Sequence, residues 1–388
     1  MRLKSHFENS IKQIAHLEEI KTLRNIEQYV YQKNNLPVYD ISHWNSGSEY
    51  KKMMLSTYTN NLDSDIFDYR YSYEYNNQIK QKIIEKTLCN SPDFYNCTLL
   101  QSTTTAICCI VDFLKKNDYK NICVLEPAYF SIYSCLTSFG LNVCKEYIIL
   151  DENDNCIFPF QSINDRNYDV VWITSPIFST GIYYTKDQIK QMIELLDKNI
   201  LVIFDESIAS IDKLLYSHLP VSKNVISIYS PPKYLSINSQ KFAVIICSKQ
   251  ICTYLEDWVD VFIGSLPLST HLAIEHFLSN NYMDCIYIHD RYIQQNMSMI
   301  DQLIKVFPNN TYKGESCNYI TICNKSETFF NKLDYEKFLQ IMLQTNTSFI
   351  PGYINDFSKE WGVCFRVNLT HNVEHIKFHL GRLLNYFG

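Results

Sequence analysis

The stretch SIYSPPKYLSINSQKFAVII, residues 227–246, sets Lys233 after Ser230 and two prolines and places a second lysine, Lys241, at the mouth of an apolar run. A loop lysine is ordinarily solvated and inert. Its amine becomes a covalent catalyst when it forms a Schiff base with a carbonyl. The cofactor suited to that role, pyridoxal phosphate, needs a carboxylate that keeps its pyridine nitrogen protonated as an electron sink. Asp205 is the carboxylate in position. It ends the run ILVIFD and precedes Lys233 by one strand and its connection, a separation that lets both side chains enter one crevice. Capping of the following helix is the plainer reading of Asp205, and the sequence allows both.

The cofactor's phosphate asks for small and hydroxyl side chains with exposed backbone N–H groups at a helix start. LLQSTTTAICCIVDFL offers them, since Ser102, Thr103 and Thr104 sit where an apolar strand end passes into an apolar-periodic helix. A simple Ser/Thr cap has the same pattern. Ser230 and Lys241 are expected to close the anion site from the other side, unless Lys241 merely flanks its strand.

These residues need a scaffold that brings them together. Between residues 80 and 250 short β-rich apolar runs alternate with longer amphipathic stretches, the pattern of βαβ units and a mainly parallel sheet. KNICVLEPAYF reads as strand then turn, DVVWITSP as strand then loop, KDQIKQMIELLDK as helix, and NILVIFDES, NVISIYS and FAVIICS as strands. Ligands bind at the carboxyl ends of such strands, which gathers QSTTTA, the end of VVWITSP, Asp205 and the Lys233 loop. From about residue 266 the texture becomes a long helical stretch, short strands (YITICN, VCFRVNLT) and a final helix. The expectation is an α/β protein: a three-layer α/β/α large domain over residues 45–265 and a smaller α+β domain over 266–388. The N-terminal helix and PVYDIS strand, residues 1–44, would pack with the small domain.

Composition narrows the partners. Hydrophobic residues make up 46% of the 388 and charged residues 20%, and the formal net charge of −6 gives no electrostatic reason for a nucleic-acid partner. The 14 cysteines contain no CxxC pair and no regular framework, so they read as reduced core thiols. The N-terminus has apolar residues at helical spacing among many charges and no apolar signal core. No apolar run approaches the ~18 residues that span a bilayer, so the expected location is cytoplasmic and no membrane partner is expected.

Taken in order, the segments from about residue 36 onward resemble the fold type I pyridoxal-phosphate enzymes, and among them the class I/II aminotransferases. PAYFSIY looks like the family's P-x-Y segment, which implies that Tyr129 stacks on the cofactor ring. TSPIFSTGIYYTKDQI is similar to the stretch ending in Asn-Pro-Thr-Gly, with Thr180 and Gly181 retained. VIFDES and SPPK resemble the segments of the cofactor-nitrogen aspartate and the Schiff-base lysine. FIPGYINDF followed by VCFRVNLT resembles the closing segment whose arginine grips the substrate carboxylate, which implies that role for Arg366. In DYRYSYEYNN the resemblance points to Tyr71 as a residue reaching a neighbouring subunit's phosphate, hence a homodimer with a shared active site. A tyrosine-rich core edge is the other reading of that segment.

The departures carry information too. Phe178 stands where the family usually has asparagine, and Ile208 where many members have tyrosine, so two hydrogen-bond donors to the cofactor's phenolic oxygen are missing. Lys241 replaces the usual phosphate-binding arginine, keeping charge and losing the bidentate fork. Ser102 stands where glycine is common. Phe178, with His43 and Trp44 of PVYDISHWNSG, would line the substrate pocket; a buried tryptophan with a hydrogen-bonded histidine is the alternative there. His371, His375 and His379 fall at i, i+4 and i+8, a spacing that aligns three imidazoles for a metal or for ordinary packing, and the expectation is no metal.

The resemblance implies a pyridoxal-phosphate-dependent enzyme that transaminates an α-amino acid. The same scaffold supports decarboxylation, elimination, aldol cleavage and oxidase chemistry, and a non-catalytic partner subunit is the rival from another class.

Overall fold

The computed structural model describes residues 19, 21–42, 47–57, 79–85, 95–238, 241–264, 266–312, 314–315, 317–324 and 334–388. His43, Trp44 and Tyr71 lie outside the described residues.

Seven strands build the main sheet: β1 (Tyr95–Leu100), β2 (Asn121–Glu126), β3 (Asn142–Tyr147), β4 (Val170–Thr174), β5 (Leu201–Glu206), β6 (Val225–Tyr229) and β7 (Ala243–Ser248). Their order across the sheet is β1-β7-β6-β5-β4-β2-β3. β7 runs antiparallel to both neighbours, and the other pairings are parallel. β4, β5, β6 and β7 are buried along their whole lengths. That explains why they read as continuous apolar runs rather than alternating ones. β3, with the sequence NVCKEY, lies at the sheet edge and carries Lys145 and Glu146. Its charges hide it from a search for apolar strands.

Side chains alternate between two packed faces, as a strand's two-residue period requires. Val124, Trp172, Ile203 and Ile226 face one layer, with α1 (Thr103–Lys116), α2 (Phe130–Ser138) and α4 (Lys249–Phe262). Leu125, Ile173 and Phe204 face the other, with Met192 and Leu195 of α3 (Lys186–Asp197). The amphipathic stretch KDQIKQMIELLDK thus forms the expected helix. It opens on a capping box in which Thr185 accepts from the Gln188 N–H and the Gln188 side chain accepts from the Thr185 N–H.

A smaller sheet follows, with β8 (Asn310–Thr311), β9 (Tyr319–Asn324) and β10 (Val363–Asn368) antiparallel in that order. Around it lie α5 (Tyr282–Val306), α6 (Tyr335–Thr345) and α7 (Val373–Phe387). Asp334 caps α6 by accepting from the Lys337 N–H at 3.1 Å. The two-residue strand Tyr39–Asp40 pairs parallel with Thr347–Ser348, beside this smaller sheet's core.

His375 and His379 lie on one face of α7, and His371 lies just ahead of it. That face packs on Tyr39. The tyrosine hydroxyl bonds the His371 Nδ1, and its ring stacks on His379 at 4.3 Å and meets His375 edge-on at 5.6 Å. The spacing therefore serves an aromatic cluster, and among the described residues no three metal-ligating groups converge. None of the described helices is long and apolar enough to cross a membrane.

Candidate active site

Parallel strands direct their carboxyl ends to one edge, and the loops after β1, β2, β4, β5 and β6 meet there. β7 runs the other way, which brings its amino end, with Lys241 and Phe242, to the same edge. Between these segments lies a cavity of about 530 Å³.

Lys233 sits on a single helical turn, Pro231–Tyr234, directly after β6. Prolines occupy the first two positions, where a missing N–H costs nothing, and the Lys233 N–H bonds the Ser230 carbonyl at 2.9 Å. The Lys233 carbonyl accepts from the Asn318 amide at 2.7 Å. Asn318 in turn meets the buried His289 Nε2 at 2.6 Å, and Asp290 contacts both the His289 Nδ1 at 3.0 Å and the Tyr234 hydroxyl at 2.6 Å. This network holds the turn from below. Above it the Lys233 Nζ lies 5.2 Å from the centre of the Tyr129 ring.

Asp205 is the penultimate residue of β5 and lines the cavity. No helix starts directly after it. Its carboxylate accepts instead from the Ser207 N–H at 3.1 Å and from the Ser207 hydroxyl. Its neighbour Glu206 points to the opposite face, where the Leu215 N–H and the Ser227 hydroxyl donate to it. Burial there pushes the Glu206 carboxyl up to about 7.

On the anion side, the Ser102 hydroxyl accepts from the Thr105 N–H at 3.1 Å and caps α1. The Thr103 hydroxyl is buried with no hydrogen-bond partner among the described residues, as is that of Thr174, and both residues line the cavity. Buried hydroxyls are seldom left so, and a bound anion at the start of α1 would supply what Thr103 lacks. Thr104 and Lys241 are exposed at the rim. Ser230 differs from expectation in one respect: its hydroxyl donates to the Phe242 carbonyl at 2.7 Å, leaving only lone pairs for the cavity.

Phe178 is carried by the turn 176–181. Thr180 folds that turn by donating to the Ile177 carbonyl at 2.8 Å, and Ser179 takes a left-handed φ of +61°. Gly181, at φ +73°, passes so close to β9 that a Cβ would stand 3.1 Å from the Tyr319 carbonyl. Thr321 of β9 bonds the Ser179 carbonyl at 2.8 Å. So pinned, Phe178 lines the cavity with its ring 6.2 Å from that of Tyr129. Ile208 lines the same wall, so both departures from the family pattern face the cavity.

Arg366 lies mid-strand on β10, opposite Thr321, and is 2% exposed. It donates to the Ser42 carbonyl, and its guanidinium stacks 4.8 Å from the centre of the Tyr319 ring. Burial draws its pKa down from the usual arginine value. Tyr319, not Arg366, lines the cavity, so the arginine stands one ring behind the wall. Tyr319, Ser207 and Asn238 are lining residues that sequence reasoning did not single out, and Thr174 belongs to the VVWITSP end that it placed at the site. Tyr319 is the first residue of YITICN and stands two places from Thr321 on the same strand face.

A sequence model of the aminotransferase class I and II family matches residues 60–378. The chain belongs to that family. Membership makes it a pyridoxal-phosphate-dependent aminotransferase acting on amino acids. Solved structures similar to this aminotransferase include an Escherichia coli protein with a methionine aminotransferase function, at TM-score 0.70 and 12% identity over 92% of this chain and 96% of that one. Alanine aminotransferase from Pyrococcus furiosus is similar at 0.70 and 15% over 96% of each chain. Kynurenine aminotransferase from Pyrococcus horikoshii is similar at 0.71 and 11% over 94% of this chain and 93% of that one. At such identities these neighbours speak for the aminotransferase fold alone. No curated protein matches.

Proposed function

We propose that Lys233 is the residue through which this aminotransferase holds its cofactor and moves the substrate's proton. The observation that supports this is the convergence of Lys233, Asp205, Tyr129 and the unpartnered Thr103 hydroxyl on one cavity. Bound there, pyridoxal phosphate supplies an electron sink for the pair released when the amino acid's Cα–H bond breaks. Asp205 would hold the ring nitrogen in its protonated form, and Tyr129 would pack against the ring. Backbone N–H groups at Ser102, Thr103 and Thr104, with the Thr103 hydroxyl and the Lys241 ammonium, bind the phosphate. Ser230 supports that wall through Phe242. The Lys233 amine takes the proton from Cα as general base and returns it as general acid.

Arg366 binds the substrate carboxylate once Tyr319 has moved aside. Phe178, His43 and Trp44 contact the side chain, which favours an apolar or aromatic amino acid. The protein works in the cytoplasm as a homodimer in which Tyr71 reaches the phosphate of the neighbouring copy. We assign residues 45–265 to the cofactor domain and 266–388, with 1–44, to the smaller one.

The test is borohydride reduction of the yellow holoenzyme followed by peptide mass spectrometry, with amino transfer from a panel of amino acids to a keto acid assayed alongside. A pyridoxyl adduct on Lys233 and a new amino acid are expected. An adduct on another lysine ends the assignment; an adduct on Lys233 without amino transfer points to another reaction on this scaffold.

A further inference from the structure

α1 and α2 pack side by side, and their contact includes two sulfur atoms: Cys108 Sγ lies 3.2 Å from Cys135 Sγ. Other described cysteines also touch in pairs, Cys247 with Cys252 and Cys323 with Cys364, but those thiols are buried. Cys108 and Cys135 combine close approach with partial exposure of both residues. Cys144 and Cys156 are partly exposed as well.

We propose that Cys108 and Cys135 form a reversible dithiol/disulfide site, oxidised by a low-molecular-weight disulfide. The sulfurs already lie within about 1.2 Å of the bonding distance of ~2.05 Å, so closure asks for small side-chain rotations. Cys108 is the attacking sulfur. The hydrogen bond between the two thiols, which the Cys135 S–H can donate, draws Cys108 down to about 7 and pushes Cys135 up. Thiolate is the nucleophilic form.

The exchange proceeds in two steps and balances. The Cys108 thiolate attacks one sulfur of the small disulfide, a bond forms between them, and the old S–S bond breaks to release a thiolate. That thiolate takes the Cys135 proton and departs as a thiol. The Cys135 sulfur then attacks the Cys108 sulfur, forming the protein disulfide and expelling the second small thiolate, which takes a proton from solvent. Two protein thiols are oxidised and one small disulfide is reduced to two thiols. The product links α1, which opens at Ser102–Thr104, to α2, which opens at Tyr129. The site requires no bound cofactor.

Exposure of the purified full-length protein to oxidised glutathione, quenching with iodoacetamide and peptide mass spectrometry test this. A Cys108–Cys135 cross-link reversed by dithiothreitol is expected as the first disulfide formed. In Cys135→Ser the reaction should stop at a glutathione adduct that fragmentation assigns to Cys108 rather than Cys109. In the wild type, Cys108 should react roughly threefold or more faster than Cys144 or Cys156, because the neighbouring Cys135 thiol stabilises its thiolate. A first cross-link between any other pair, or glutathione entering Cys144 or Cys156 ahead of Cys108, overturns the proposal. Should Cys135→Ser fail to fold, the wild-type map decides alone.

Discussion

The side-chain amide of Asn318, at the foot of β9, donates to the main-chain carbonyl of Lys233 at 2.7 Å, across 85 residues of chain. The other end of the same amide meets the fully buried His289. The turn that presents the candidate catalytic lysine is therefore held by the smaller sheet and by α5. Asn318→Ala leaves the carbonyl and the imidazole without this partner, at a cost of about 1–3 kcal/mol in urea unfolding. The cofactor adduct should still map to Lys233, but kcat should fall because the amine is less well placed. Unchanged stability and kcat would mean the network does not position the turn.

Lys233→Ala is expected to abolish covalent attachment of the cofactor while leaving unfolding within about 1 kcal/mol of the wild type, since one turn lysine adds little to a core this large. Borohydride reduction with intact-mass measurement reads the first, denaturant unfolding the second. An adduct retained in the variant would contradict the assignment.

Arg366→Ala should raise KM for the amino acid far more than it weakens cofactor binding, by an amount of order 2 to 5 kcal/mol in kcat/KM, the usual loss when one partner of a desolvated ion pair is removed. Some stability should go as well, because Arg366 is buried and holds the Ser42 carbonyl. Equal losses in cofactor and substrate binding would reassign it to structure.

Phe178 and Ile208 both face the cavity, where the family pattern provides two donors to the cofactor's phenolic oxygen. Without that competition the oxygen keeps its hold on the neighbouring proton, so the yellow absorption band of the bound cofactor should persist as pH rises. Phe178→Asn with Ile208→Tyr should lower the titration midpoint of the band. A wild-type band already bleached at neutral pH would mean that another group, with Ser179 the nearest candidate, donates there.

Glu206 carries a pH signature of the fold. Its carboxyl ordinarily titrates near 4.5 but is pushed up to about 7 by burial. Between those values the unfolded chain has lost this proton and the folded chain retains it, so the group's stabilising contribution is full below pH 4.5 and fades as pH rises toward 7. Glu206→Gln keeps an acceptor for the Leu215 N–H and should flatten this part of the profile in urea midpoints taken across that range. Glu126, pushed up to about 8 by burial, leaves a residual slope of the same sign. A variant as steep as the wild type would place the dependence elsewhere.

The strands, and the gathering of Asp205, Lys233 and Tyr129 at their carboxyl ends, were legible because their signals are local. A strand buried on both faces reads as a nearly continuous apolar run, as VVWIT and VISIY do, and parallel strands carry the residues at or just beyond their carboxyl ends to one edge. β3 escaped notice because an edge strand tolerates charge. The tertiary structure decided what depends on partners distant in sequence: the direction of β7 that returns Lys241 to the site, Tyr319 in front of Arg366, Asn318 beneath Lys233, and three histidines gathered on Tyr39. Local pattern sets which face of an element is apolar or polar, but not which polar group another element will bring against it. That choice is made by long-range packing, where each buried donor or acceptor must find a partner wherever the folded chain provides one.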